Sequence, residues 1–166
     1  MTGTSDLARL LTRYRAWADE FTYETAATLP LEEITKERQT TFKTIGHTLQ
    51  HVHIVDEIFR AHLENRAHGY KRRTAETLPP IDELHRRASM MNKWWIDFAD
   101  GLTDDGRSDP IAFEFVDGSP GLMTRLEIIL HVVQHATYHR GYLDDMLYQV
   151  PVTPPATDLT VFLRNR

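Results

Sequence analysis

The sequence predicts an all-α chain, a four-helix bundle with a short β-hairpin before the last long helix. Three observations carry that prediction. Four long segments repeat apolar residues at spacings of three and four. Proline, glycine and polar clusters separate them. One short stretch between the third and fourth, IAFEFVDGSPGLMTR, instead alternates at its start and holds Asp-Gly and Pro-Gly in its middle.

Residues 5–28 read as the first helix, with Leu7, Leu10, Leu11, Tyr14, Trp17, Ala18 and Phe21 as its stripe and Thr4 or Ser5 as its cap. LPLEEITKERQT follows as a polar connector holding Pro30. Residues 41–67 read as the second helix, striped by Phe42, Ile45, Leu49, Val52, Val55, Phe59 and Leu63. Gly69 and the basic run KRR at 71–73, read as a solvated loop, end it. Pro79 and Pro80 introduce a third helix over 81–100, carrying Leu84, Ala88, Met91, Trp95 and Phe98. GLTDDGRSDP is a turn-rich loop leading to the hairpin. A fourth helix spans 124–149 with Thr124 as its cap, ended by Pro151, Pro154 and Pro155, and DLTVFLRNR is a short tail. Residues 1–166 read as a single bundle domain, without repeats or low-complexity segments.

Composition narrows the function. The chain is 41% hydrophobic and 26% charged, in the ordinary globular range. A net charge of −5 gives no footprint for nucleic acid. No window approaches the ~18 apolar residues of a membrane span, and the start MTGTSDLARLLTRYRAW lacks an apolar signal core, so a cytoplasmic location is expected. There is no cysteine, which removes disulfides and thiolate chemistry from the protein itself. No phosphate-binding loop, dinucleotide fingerprint or nucleophile elbow is present.

The chemistry concentrates in histidine. His131, His135 and His139 follow one another at four-residue spacing in HVVQHATYHRGYLDD. Neighbours at that spacing lie about 40° apart around a helix and about 6 Å apart along it, close enough to share one ion. The outer two are about 12 Å apart, too far. On a wheel with Leu126 at 0°, the apolar arc of the fourth helix spans about 200° to 340°. His139 falls inside it at about 220°, His135 at its edge at about 180°, and His131 outside at about 140°. The inward pair is therefore His135 and His139. On the second helix, with Ile45 at 0°, His51 falls just inside the arc at about 240°, His47 near 200° and His53 near 80°, pointing away. His51 is the best third ligand and His47 the next. His53, His62, His68, His85 and His131 read as solvated or interface residues. Asp56 and Arg140 fall within the two apolar arcs, so each needs a partner in a buried polar network, and the two are candidates to pair with each other.

These strings resemble a family. HVVQHATYHRGY resembles the HxxxHxxxHRG signature of the DinB/YfiT-like metalloenzymes. TIGHTLQHVHIVDEIF is similar to that family's motif of a histidine followed five residues later by aspartate and then an apolar-aromatic pair, here His51, Asp56 and Ile58–Phe59. RYRAWADE and PPATDLTVFL are similar to its first helix and its ending, and residues 70–120 match least. The resemblance implies a bundle of unusual, DinB-like helix connectivity and a divalent metal on His51, His135 and His139. It also implies a homodimer. Gln50 stands where the family commonly has asparagine, and Tyr138 where it often has another histidine. Characterised relatives include bacillithiol S-transferases and mycothiol-dependent maleylpyruvate isomerases.

Three imidazoles leave an ion with open positions, as in catalytic sites, and nitrogen ligands suit zinc or nickel. An open position can bind water or an external thiol and lower its pKa. With no cysteine in the chain, an external low-molecular-weight thiol attacking a small electrophile is the leading expectation, with Arg140 or Tyr138 as candidates to orient an anionic group. A hydrolase or isomerase using metal-bound water and a non-catalytic metal-binding stress protein are the alternatives.

Overall fold

Residues 4–164 are described by the structure, a computed structural model. The side chains of Thr4 and Ser5, the expected first cap, lie outside the described residues. Helix α1 is Thr4–Ala27, α2 Leu31–Thr35, α3 Ile45–Leu63, α4 Ile81–Asp100, α5 Arg125–Leu147 and α6 Leu159–Arg164. Strands β1, Pro110–Glu114, and β2, Pro120–Thr124, form the expected antiparallel hairpin, with Ala112 opposite Leu122. Its turn places Gly118 at φ 84°, a left-handed conformation that glycine adopts without strain.

Helix ends follow local chemistry. Thr124 and Glu127 form a reciprocal capping box that starts α5 where expected. Helix α3 is shorter than residues 41–67. Thr44 accepts a hydrogen bond from the His47 amide and caps it, and Lys43 sits at φ 63°, outside the helix. Its other end is set by Asn65 at φ 50°. The connector after α1 contains the short helix α2, whose Ile34 is buried, and the tail contains α6.

Helix α1 packs against α4 and α5, and α3 packs against the same two. The buried residues form two apolar clusters. One contains Ala8, Val55, Phe59, Met91, Trp95, Val132 and Val133. The other contains Tyr23, Ile45, Leu49, Leu84, Ala88, Leu143 and Met146. In sequence, α1 and α5 run from the first cluster to the second, whereas α3 and α4 run from the second to the first. The order is thus up-down-down-up.

The loop between α3 and α4 makes that order possible by retracing α3 backwards. Tyr70 donates to Glu57, the Arg73 carbonyl lies 2.7 Å from His51 Nδ1, and the Thr77 carbonyl accepts from Gln50 Nε2 at 2.7 Å. Leu78 then packs on Gly46, so closely that a Cβ there would stand 2.3 Å from Leu78 Cδ2. Glycine at 46 lets the loop seat, and α4 begins level with the start of α3.

The expected stripe of α1 is partly out of phase. Tyr14 and Ala18 are buried as expected and Leu11 packs on the first cluster, but Leu7 and Phe21 are 43% and 42% exposed, while Ala8, Thr12, Arg15 and Thr22 are buried. Tyr14 and Trp17 serve a further contact, packing on Phe162 of α6 at ring distances of 5.8 and 5.5 Å. Tyr23 enters the second cluster, and most of the other buried residues of α1 are small or polar.

Candidate metal centre

Between the two apolar clusters lies a polar layer contributed by α1, α3 and α5. The sequence places Arg15 and Asp19 on α1, His51 and Asp56 on α3, and His135, His139 and Arg140 on α5.

His51, His135 and His139 converge. Each offers a ring nitrogen, and these three atoms lie within 4.8 Å of one another. His51 and His139 are buried and His135 is half-buried. The Nε2 atoms of His51 and His135 are 3.0 Å apart. The Arg73 carbonyl accepts from His51 Nδ1 at 2.7 Å, which places the Nδ1 proton there and leaves the lone pair on Nε2. Phe42 stacks on the His51 ring at 3.9 Å and meets His139 edge-on at 5.3 Å. Phe42, expected in the apolar stripe of the second helix, instead lies before α3 and walls the histidines.

All three rings are held neutral. Burial lowers the pKa of His51, with the Arg73 hydrogen bond opposing and the Arg73 charge adding to the fall. Burial, then the neighbouring histidines, push His135 down to about 2, and burial and His51 push His139 down to about 4. Neutral imidazole is the form that ligates metal. The donor set therefore fits a divalent cation. The Nδ1 atoms of His135 and His139 are buried without a hydrogen-bond partner, so only His51 has the outer hydrogen bond that usually orients a metal-binding histidine.

The remaining candidates separate. His47 Nδ1 lies 2.8 Å from the Thr44 hydroxyl and is outside the triad. Tyr138 is 61% exposed at the rim, its ring 5.1 Å from His139 and its hydroxyl 2.7 Å from that of Tyr142. Arg140 is only 4% exposed and faces the interior, where Nη2 donates to the Tyr14 hydroxyl at 2.7 Å and Nη1 lies 3.8 Å from Asp19. Those partners suit a structural role, the alternative that its inward position on the wheel also allows. His53, read as pointing to solvent, is buried, with Nε2 3.6 Å from Glu57 Oε1.

Asp56 and Arg140 do belong to a buried network, but not as each other's direct partners. Arg15 takes Asp56 in a two-pronged ion pair, with Nη1 donating to Oδ1 at 2.9 Å and Nη2 donating to Oδ2. It also donates from Nε to Asp19 at 3.3 Å. Asp19 in turn accepts from Asn92 and faces Arg140. Burial depresses the Arg15 pKa, but the two carboxylates outweigh it and the net shift is upward. Sequence reading misses Arg15 and Asp19 because they lie about 40° and about 80° beyond the edge of the expected α1 stripe, so the wheel test that exposes Asp56 and Arg140 passes over them.

The DinB family profile matches residues 1–166. The chain belongs to the DinB family. Protein DinB of Bacillus subtilis (strain 168) is 29% identical over 170 residues, covering 96% of this chain and 95% of that protein. A DinB-like protein from Bacillus cereus, known from a crystal structure, superposes with a TM-score of 0.66 at 16% identity, over 87% of this chain and 91% of that one. The second comparison shows a shared DinB-like fold. Among the described residues, no helix of this DinB-family chain is long and apolar enough to cross a membrane.

Proposed function

We propose that this DinB-family protein binds a divalent transition metal through His51, His135 and His139 and transfers a low-molecular-weight thiol to a small electrophile. The observation that carries the reading is the 3.0 Å approach of two Nε2 atoms, one with its lone pair fixed inward by the Arg73 carbonyl. Zinc or nickel suits the all-nitrogen set. An ion held there would supply Lewis acidity, lowering the pKa of a coordinated thiol or water.

The chain's own residues favour the thiol. It has no cysteine, so the sulfur comes from outside. Among the described residues, no carboxylate joins the histidine cluster, so hydrolysis would lack a side-chain base at the donors. Three neutral imidazoles leave the full cationic charge to stabilise an incoming anion. Phe42 shields one side of His51 from water, and the Tyr138–Tyr142 hydroxyl pair at the rim can donate to an entering group. In the overall transfer a sulfur–carbon bond forms, the leaving group departs with its bonding electrons and the thiol proton passes to solvent.

The test is conjugate formation between monochlorobimane and a panel of small thiols on zinc- and nickel-loaded protein. Metal- and thiol-dependent conjugation that disappears in His135→Ala is expected. Conjugation no faster than thiol alone, with turnover of esters in the absence of thiol, would replace this reading with hydrolysis.

A further inference from the structure

The basic run Lys71-Arg72-Arg73, read from sequence as a solvated loop, stands out once the charges are paired. Among the described residues, Lys71, Arg72, Arg73 and Arg164 are the lysines and arginines without an ion pair. Every other one meets a carboxylate, including the exposed Lys93 on Asp97 and Arg86 on Glu83. Three consecutive unpaired cations in a chain of net charge −5 repel one another and gain nothing in stability.

Their position is as specific as their charge. They lie on the loop that retraces α3, and Arg73 is the residue whose carbonyl holds His51 Nδ1. The loop is fixed on both sides of the run. Tyr70 bonds Glu57 before it, and after it Gln50 Oε1 accepts from the Ala75 amide at 3.4 Å while Gln50 Nε2 donates to the Thr77 carbonyl. The run is thus anchored beside the histidine cluster while its three side chains stay exposed. The charge of Arg73 is felt at His51 and at Asp117 in the hairpin turn, though neither carboxyl oxygen of Asp117 lies in ion-pair range of it.

We propose that Lys71, Arg72 and Arg73 select the small molecule that reaches the histidine cluster, and that this molecule carries a carboxylate or similar anionic group. The inference rests on the metal-binding reading and deepens it by assigning the charge of the ligand. Cations beside a cleft raise the local concentration of anions and do so less at high salt. The neutral histidines and aromatic rings around the cluster carry no charge of their own, so beyond a bound ion the basic run is the nearby source of discrimination by charge.

The test compares 3-mercaptopropionate with 3-mercapto-1-propanol, which differ in having a carboxylate or a hydroxymethyl group. Dissociation constants are measured by calorimetry on zinc-loaded protein, at low and high salt. The carboxylate should bind about fivefold or more tightly at low salt, the scale of one or two exposed ion pairs. The double variant Lys71→Gln with Arg72→Gln leaves Arg73 and its carbonyl on His51 intact, so zinc stoichiometry should be unchanged while the preference shrinks. In the triple variant that adds Arg73→Gln it should vanish. Equal binding of the two thiols by zinc-loaded wild-type protein, or a preference untouched by the triple variant, overturns the proposal and leaves the metal site standing. The same titrations on chelator-treated protein, followed by amide shifts of residues 70–75, cover a failure of zinc to bind. A charge preference located at this loop then sustains the basic run and overturns the metal reading; no preference there overturns both.

Discussion

At the scale of single residues, the polar layer makes the sharpest demands. Arg15 and Asp56 are both buried, and removing the Asp56 charge takes away the two-pronged pair and leaves Arg15 only its longer bond to Asp19. Asp56→Asn is expected to cost about 3 kcal/mol or more, the range for breaking a buried pair, read as the midpoint of chemical denaturation. Loss of under 1 kcal/mol, roughly that of an exposed pair, would mean that the pair contributes no more than surface charge. The histidines respond to acid as well. The folded pKa values of His135 and His139, about 2 and about 4, lie below the ordinary 6.5, so the unfolded chain takes up protons first as pH falls. Their contribution to stability is therefore complete above about 6.5 and is lost as pH falls, down to about 4 for His139 and about 2 for His135. Asp144 and Asp56 work the other way, since burial raises the Asp144 carboxyl to about 6 despite Arg140 and raises that of Asp56 despite Arg15, but they are two groups against the depressed histidines His51, His131, His135 and His139. The melting temperature of chelator-treated protein should drop steadily from pH 7 to pH 5; a flat profile would contradict the buried, neutral histidines.

At the scale of elements, the loop from α3 to α4 is a working part of the site. Gln50→Ala removes the bonds to Ala75 and Thr77 and frees the segment that aligns His51. Amide exchange over residues 73–77 should accelerate, and zinc affinity should fall about tenfold, the low end of outer-partner losses. Unchanged exchange would show that Leu78 on Gly46 suffices to seat the loop. The capping box of α5 is a simpler case. Thr124→Ala should cost about 1 kcal/mol without touching the histidines. That box was legible in sequence because a cap is local chemistry, as was the hairpin. The phase of α1 was legible only in part, because Tyr14 and Trp17 meet α6 from the far end of the chain while Ala8, Thr12, Arg15 and Thr22 turn to the bundle. His53 was misplaced for a related reason. A wheel of apolar residues records one buried side, while α3 is covered by α4 and by the returning loop as well.

At the scale of the whole molecule, two apolar clusters hold a polar layer between them, and the up-down-down-up order brings α3 beside α5 at that layer. The histidine triad was legible because each helix carries its ligands in one stripe, and two stripes must face each other in a bundle. The clamp from Arg73 and the partners of the inward-facing Arg140 were not, since both depend on what a loop or another helix places opposite. The proposed chemistry requires that the triad hold a metal, so the decisive measurement is metal content. Untagged protein purified without chelators, with His135→Ala and His139→Ala alongside, is analysed by mass spectrometry. Near one zinc or nickel per chain is expected in the wild type, with loss in both variants. No bound metal, and no uptake on dialysis against either ion, would contradict it and leave the three histidines as packing.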